Sequence, residues 1–179
     1  MARVFLCPDR EVSTVARGLY FEELEIGWSV STKGRTITET DVVNFAGLSG
    51  DYNPLHTDAE FASKTEFGRR IAHGALVFSI AIGLTYQAGF MDETVMAFLS
   101  LDWKYSAPIF IGDTIHCEVQ IIDLKRLPRL GGGKVVLAVK VVKQDGTVAQ
   151  KGEWVVLVRS RPEETARTDI SGNPASGNG

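Results

Sequence analysis

Residues 73–89 constrain the fold of this chain more than any other stretch. They read HGALVFSIAIGLTYQAG, with no acidic residue, lysine or arginine. Apolar side chains occur around the whole helical circumference, whereas a helix at a protein surface keeps them on one face. Ser79, Thr85 and Gln87 interrupt the run, which is also shorter than a membrane span requires. The pattern predicts a long central helix that other parts of the protein must cover.

The sequence after this helix is typical of strands. Residues 115–121 alternate apolar and polar side chains, as in a strand with one buried face. The runs KVVLAVKVVK and TVAQKGEWVVLVRS are separated by Asp145 and Gly146, a hairpin signal, and TVMAFLSLDWKYSAP adds another strand. Before the helix, WSVSTKGRTI (28–37) predicts a first strand, and a helix follows it after a Thr38 cap. We therefore predict an α+β fold with one dominant helix and about four antiparallel strands after it.

Length and composition limit the class of protein. The chain has 179 residues and a net charge of −3, which favours one domain and excludes a dominant basic field for nucleic acid. The N-terminus lacks the apolar core of a signal peptide, and two cysteines are too few for a disulfide framework. We predict a cytoplasmic protein with no nucleic-acid or membrane partner. Its single domain covers 18–160, between an N-terminal extension (1–17) and a disordered polar tail (161–179).

The motif SGDYNPLHTD (49–58) contains two residue types that transfer protons near neutral pH, Asp51 and His56. Five residues apart, they would lie about 140° apart on a helix and on opposite faces of a strand. They can converge if the segment is a folded loop. Pro54 favours a loop, and the side chain of Asn53 can brace it by bonding to nearby backbone.

Other interpretations of this motif remain open. Asp-x-Asn-Pro is a good turn on composition alone, and most such turns carry no chemistry. A calcium loop is excluded because His56 stands where that loop needs glycine. A transition-metal site built on Asp51, His56 and Asp58 would need a further clustered ligand, so we predict no metal.

A second motif, RRIAHGALVF, places His73 and Gly74 at the start of the central helix. The first N–H groups of a helix have no internal partner and carry partial positive charge. A glycine there lets a ligand oxygen approach the backbone, so Gly74 can supply an oxyanion hole for a thioester carbonyl. The side chain of His73 could contact substrate, although a packed or capping histidine is the commoner arrangement.

With both motifs, the chain resembles the MaoC-like dehydratases, which include the R-specific enoyl-CoA hydratases. The resemblance rests on LSGDYNPLHTDAEFA, on HGALVFS and on APIFIGDTI, which is similar to the family's return strand. It implies a hot-dog fold, usually dimerised, in which an antiparallel sheet wraps a long helix. It also implies reversible syn addition of water to a trans-2-enoyl thioester of CoA or acyl carrier protein. Some relatives place a hydroxyl on the helix where this chain has Ile82.

By the matching positions, Asp51 and His56 are the catalytic pair, and Asn53, His73 and Gly74 serve substrate binding. Such a carbon–oxygen lyase requires no redox cofactor or metal, because a carboxylate and an imidazole that share one water can move both protons. Two other functions compete. A hot-dog thioesterase commonly has an acidic residue on the long helix, and residues 75–90 contain none. A non-catalytic acyl-binding or partner subunit would have no need of the complete pair.

Overall fold

The protein was analysed as a computed structural model that describes residues 18–162. The predicted N-terminal extension (1–17) and nearly all of the predicted tail lie outside the described residues. Within these described residues the secondary structure consists of four helices, six strands and two short 3-10 turns. The helices are α1 (Glu39–Ser49), α2 (Pro54–Thr57), α3 (Ala59–Ser63) and α4 (Gly74–Gln87); the strands are β1 (Ser29–Ser31), β2 (Arg35–Thr36), β3 (Val95–Tyr105), β4 (Thr114–Leu127), β5 (Gly132–Lys143) and β6 (Val148–Arg159).

The six strands form one antiparallel sheet in the order β1-β4-β5-β6-β3, and β2 pairs with the N-terminal end of β4. The predicted hairpin is confirmed: β5 and β6 are joined by a turn in which Gly146 has a φ of +84°. APIFIGDTI was expected to be a return strand, but β4 begins only at Thr114. The residues before it form a loop that touches the rest of the fold through an Ile71–Phe110 bridge.

The prediction of one strand over 28–37 is wrong, because β1 and β2 are separate. Between them the hydroxyl of Thr32 accepts a hydrogen bond of 2.9 Å from the Cys117 N–H. A side chain therefore takes the place of a backbone carbonyl in the ladder, and the chain loops out at Lys33 and Gly34 before pairing resumes.

Helix α4 confirms the predicted central helix, and it lies against the sheet with one side. The inner side is buried in the core and consists of Leu76, Val77, Ile80, Ala81, Leu84 and Thr85. The opposite side, which carries Ile82 and Tyr86, is exposed in a single chain. One copy of the sheet therefore covers only half of this apolar helix. No helix within residues 18–162 is long and apolar enough to cross a membrane.

Helix α1 delivers the chain to the first motif. Thr38 caps it as predicted: its hydroxyl accepts from the Asp41 N–H, and the Asp41 carboxylate accepts from the Thr38 N–H at 2.8 Å. The helix ends at Gly50, whose φ of +76° is in the left-handed region that glycine adopts at little cost. The chain therefore turns sharply just before Asp51.

Candidate active site

The segment after Gly50 folds into the loop that the sequence predicted, with one addition. The Asp51 carboxylate accepts from the Asn53 N–H at 3.2 Å, and the Asn53 side-chain oxygen accepts from the Leu55 N–H at 3.0 Å. Asn53 thereby caps a single helical turn, α2, that begins at Pro54 and that the sequence analysis did not predict. This turn brings the side chain of His56 back towards Asp51.

The imidazole of His56 is fixed by one backbone contact. Its Nδ1 lies 2.8 Å from the Ile71 carbonyl oxygen, which can only accept, so Nδ1 carries the hydrogen and Nε2 keeps a free lone pair. Partial burial lowers the pKa of His56 below its usual value, and the neighbouring His73 lowers it further. The hydrogen bond to Ile71 and the charge of Asp51 oppose this shift without reversing it. His56 is therefore neutral at pH 7, with Nε2 able to accept a proton.

His73 lies behind this pair. Its side chain is only 1% exposed, and its Nε2 donates to the Asp51 carbonyl oxygen at 2.9 Å. The ring packs against His56, with 3.8 Å between ring centroids, and against Phe45. His73 was predicted among the substrate-binding residues, but its side chain is outside the cavity wall. Its burial gives it the packing role that the sequence analysis left open.

Asp51, His56 and His73 each place one potential ligand atom within 4.8 Å of the others. Asp51 is exposed and His56 is half-buried, so both side chains are accessible to water. The same spacing could accommodate a metal ion, but Asp58, the third ligand considered from the sequence, is not in this group. Asp58 instead caps α3 by accepting from the Phe61 N–H at 2.9 Å. The absence of a metal stays a prediction.

A cavity of about 500 Å³ opens beside His56, and Asp51 lies outside its wall. Its polar side chains are those of His56, Tyr105, Ser106 and Gln150, and Gly74 contributes backbone. The rest of its wall is apolar and consists of Phe67, Ile71, Ala72, Ala75, Val77, Ala107, Pro108 and Ile109. An apolar wall with a few convergent polar groups is the usual form of a small-molecule site. It can hold an apolar ligand whose polar end lies near His56.

Gly74 is the first residue of α4, as predicted for the oxyanion donor. His73 occupies the cap position, but its side chain makes no capping hydrogen bond. Among the described residues the Gly74 N–H has no hydrogen-bond partner, so it remains free to bind a ligand oxygen. Helix α4 thus directs an unpaired donor and the positive end of its dipole at the cavity.

Three residues near Gly74 were not singled out in the sequence analysis. The ring of Tyr105 lies so close that a Cβ on Gly74 would be 2.6 Å from its Cε1. Gln150 donates to the Gly74 carbonyl oxygen at 3.1 Å and accepts from the indole N–H of Trp103 at 2.9 Å. One sequence feature could have identified Gln150: it is a polar residue on the same face of its strand as the buried Trp154.

The helix hydroxyl found in some relatives has no direct counterpart in the cavity. Ile82 is 39% exposed on the outer side of α4. The nearest preceding hydroxyl, that of Ser79, donates back to the Ala75 carbonyl oxygen at 2.9 Å. Neither residue is part of the cavity wall.

The family model described as MaoC like domain matches residues 22–144. The chain belongs to the MaoC-like family. A 3-hydroxybutyryl-CoA dehydratase of Methylorubrum extorquens is 35% identical over 149 residues, which cover 72% of this chain and 88% of the relative. An (R)-specific enoyl-CoA hydratase of Aeromonas caviae is 33% identical over 135 residues, which cover 75% of this MaoC-like chain and 96% of the relative.

Comparison with solved structures confirms the predicted hot-dog fold. The (R)-hydratase of A. caviae superposes with a TM-score of 0.66 at 31% identity, covering 78% of this chain and 99% of that one. A Mycobacterium tuberculosis protein described as having a double hotdog fold superposes with a TM-score of 0.72 over 82% of this chain and 46% of its own. At 19% identity, that second likeness concerns the fold alone.

Proposed function

We propose that this MaoC-like protein is a carbon–oxygen lyase that reversibly adds water to a trans-2-enoyl thioester, with Asp51 and His56 as its catalytic pair. One observation carries the proposal: His56, which has a ring nitrogen within 4.8 Å of an Asp51 carboxylate oxygen, lines the same apolar cavity as the free Gly74 amide. The names of the two relatives support hydration of enoyl-CoA, and their (R)-specific member supports a (3R)-hydroxyacyl product.

In this proposal the cavity wall orients the substrate. The acyl chain occupies the apolar part, and the thioester oxygen accepts a hydrogen bond from the Gly74 N–H. This bond strengthens as water adds to C3, because negative charge then moves through C2 to the thioester oxygen. A fixed donor that already points at this position lowers the barrier without reorganising during the reaction.

The route of the transferred proton follows from the residue types of the pair. Neutral His56 and an aspartate carboxylate both accept protons, so the hydrogen that reaches C2 is the one the pair has just removed from water. The new C3–O and C2–H bonds then form on the same face of the double bond, which is syn addition. Elimination of water runs through the same groups in reverse.

Asn53 acts indirectly in this proposal, since it lies outside the cavity wall and holds the loop through its cap on Leu55. No redox cofactor or metal enters the scheme. The thioester carrier is proposed to be CoA, in line with both relatives. The cytoplasmic location remains a prediction.

We also infer that two copies of the chain form a homodimer through the edge strand β3. The outer edge of β3 has no partner among the described strands. Its exposed apolar side chains are Val95, Met96, Phe98, Leu99 and Leu101, each between 42% and 48% exposed. A long apolar edge of this kind is prone to aggregate unless another chain covers it. Pairing with a second copy would cover it, and the open side of α4 offers further apolar surface.

One assay separates this function from its rivals. Purified protein is mixed with crotonyl-CoA, and two products are followed: loss of the conjugated double bond and release of free thiol. Hydration consumes the double bond and releases no thiol, and in deuterated water the product carries deuterium at C2, syn to the new hydroxyl. Thiol release would instead identify a thioesterase. If the protein binds the acyl-CoA while both the double bond and the thioester stay intact, it is a binding subunit.

A further inference from the structure

The Gly74 N–H supplies a single donor to the thioester oxygen, whereas an oxyanion that carries developing charge gains from more than one. Within the described cavity wall, Gln150 is the one side chain that contains an amide N–H. It lies on β6, is 3% exposed and bonds to the same residue that supplies the first donor. Gln150 is therefore the place to look for a second donor.

The orientation of the Gln150 carboxamide is fixed by its two partners. The indole N–H of Trp103 can only donate, so the group that faces it, 2.9 Å away, must be the oxygen Oε1. The carbonyl of Gly74 can only accept, so the group that faces it, 3.1 Å away, must be the nitrogen Nε2. Both contacts exclude the flipped amide.

One N–H hydrogen of the Gln150 side-chain amide has no hydrogen-bond partner among the described residues. Nε2 carries two hydrogens, and the contact with the Gly74 carbonyl oxygen uses one of them. No other acceptor for Nε2 exists among residues 18–162. A buried donor without a partner is costly, and the side chain borders the cavity, where a ligand oxygen could accept this hydrogen.

We propose that Gln150 is a second oxyanion donor, whose remaining Nε2 hydrogen binds the thioester oxygen together with the Gly74 N–H. This inference rests on the proposed function, because it concerns the carbonyl of the same substrate. Trp103 is a positioning residue: its indole N–H keeps Oε1 away from the cavity and so directs Nε2 towards the substrate. The donor is encoded outside both sequence motifs, on a strand more than seventy residues after Gly74.

Turnover of the full-length protein gives the first test. Gln150→Leu should lower kcat for crotonyl-CoA by about 10²-fold, the effect of losing one oxyanion donor. KM should change far less, because the bond matters most once charge develops. Trp103→Phe keeps the Gln150 amide but removes the hydrogen bond that fixes its orientation. The kcat of this variant should therefore fall by less than that of Gln150→Leu.

Gln144→Leu is the matched control. Gln144 also bridges two partners, donating to the Asp113 carboxylate and accepting from the Thr114 N–H, but it lies outside the cavity wall. This control should keep wild-type kcat. An equal loss of kcat in both leucine variants would overturn the assignment, as would a kcat for Gln150→Leu within about twofold of wild type.

The carbonyl stretching frequency of bound thioester tests the contact without turnover. Crotonyl-CoA is bound to the slowed variant Asp51→Asn, alone and combined with Gln150→Leu, and the carbonyl band is recorded by isotope-edited infrared spectroscopy. Loss of a donor should shift the band to higher frequency in the combined variant. An unchanged band would overturn the proposal even if Gln150→Leu had lowered kcat through misfolding. Because this readout needs only binding, it stays informative if hydration itself is not the reaction.

Discussion

The imidazole of His73 donates from Nε2 to the Asp51 carbonyl oxygen at 2.9 Å while its ring packs on His56, with 3.8 Å between centroids. A buried residue at the start of α4 thus contacts both members of the proposed catalytic pair. These contacts join residues that lie far apart in the two motifs, and we expect them to help position Asp51 and His56.

His73→Phe should preserve the ring packing and remove the hydrogen bond to Asp51. Stability should fall by about 1 kcal/mol, the usual loss for one hydrogen bond. The rate of crotonyl-CoA hydration should fall by roughly 10–100-fold, because a small misplacement of a catalytic group is costly. Thermal melting and initial rates measure the two effects. A variant with wild-type kcat would show that His73 does not position the pair.

The pH dependence of the rate should report His56. Burial, followed by the proximity of His73, lowers its pKa below 6.5 in the folded protein. The lone pair on Nε2 is therefore present throughout the neutral range and is lost as pH falls through this lowered pKa. We expect kcat/KM to stay level above pH 6.5 and to decline only below it. In His56→Asn the residual rate should not show this decline at low pH. An unchanged decline would mean that another group causes it.

The same shift affects stability, with a definite sign. Below about pH 6.5 the unfolded chain protonates His56 while the folded chain still holds it neutral. The contribution of His56 to the free energy of unfolding therefore falls as pH decreases through 6.5 and is constant above that value. Denaturant titrations of wild type and His56→Asn, each at several pH values between 5 and 8, should differ by this slope.

The two glycines of α4 form a matched pair for testing the oxyanion donor. At Gly83 an added Cβ meets no atom within 4 Å, so Gly83→Ala should stabilise the helix by up to ~1 kcal/mol and leave turnover unchanged. At Gly74 the same atom would lie 2.6 Å from the exposed ring of Tyr105, so this ring, which lines the same cavity, must shift. Gly74→Ala should therefore lower kcat strongly with little loss of thermal stability. Normal turnover would remove Gly74 from the site.

The homodimer can be tested at β3. Light scattering should give about twice the 19.5 kDa mass of one chain at micromolar concentration. The double variant Leu99→Glu and Leu101→Glu should dissociate it, since both exposed leucines would become charged at the edge. Leu130→Glu, at an equally exposed leucine outside β3, serves as the control and should stay dimeric. A monomeric wild type would contradict the inference.

Much of this fold follows from local sequence patterns. The Thr38 cap, the alternation over residues 115–121, the Asp145–Gly146 hairpin and the apolar run of α4 each specify their element through short-range physics, and each is confirmed. The split between β1 and β2 could not be predicted from local patterns, because it depends on a contact between Thr32 and Cys117, which are far apart in sequence. Propensity alone contains no information on such a contact.

The candidate site likewise combines residues that short motifs reveal with contacts that exist only in the folded chain. Asp51, His56 and Gly74 could be proposed as site residues from the sequence because each lies in a short motif with a distinctive residue pattern. The packing role of His73 and the contact between Gln150 and Gly74 arise where the two motifs and β6 meet in the folded chain. The role of Gln150 becomes visible once the folded chain places it beside the start of α4 and within hydrogen-bond distance of Trp103.

The central claim is that Asp51 and His56 act together on one water molecule. The direct measurement is the rate of crotonyl-CoA hydration by Asp51→Asn, His56→Asn and the double variant, beside their circular dichroism spectra. Each single variant should be slower by about 10²–10⁴-fold with the fold intact, the usual range for positioned acid–base groups. The double variant should be barely slower than the worse single one, because the losses of groups that act as a unit do not add. Folded single variants with near wild-type rates would contradict the claim and reduce the motif to a turn.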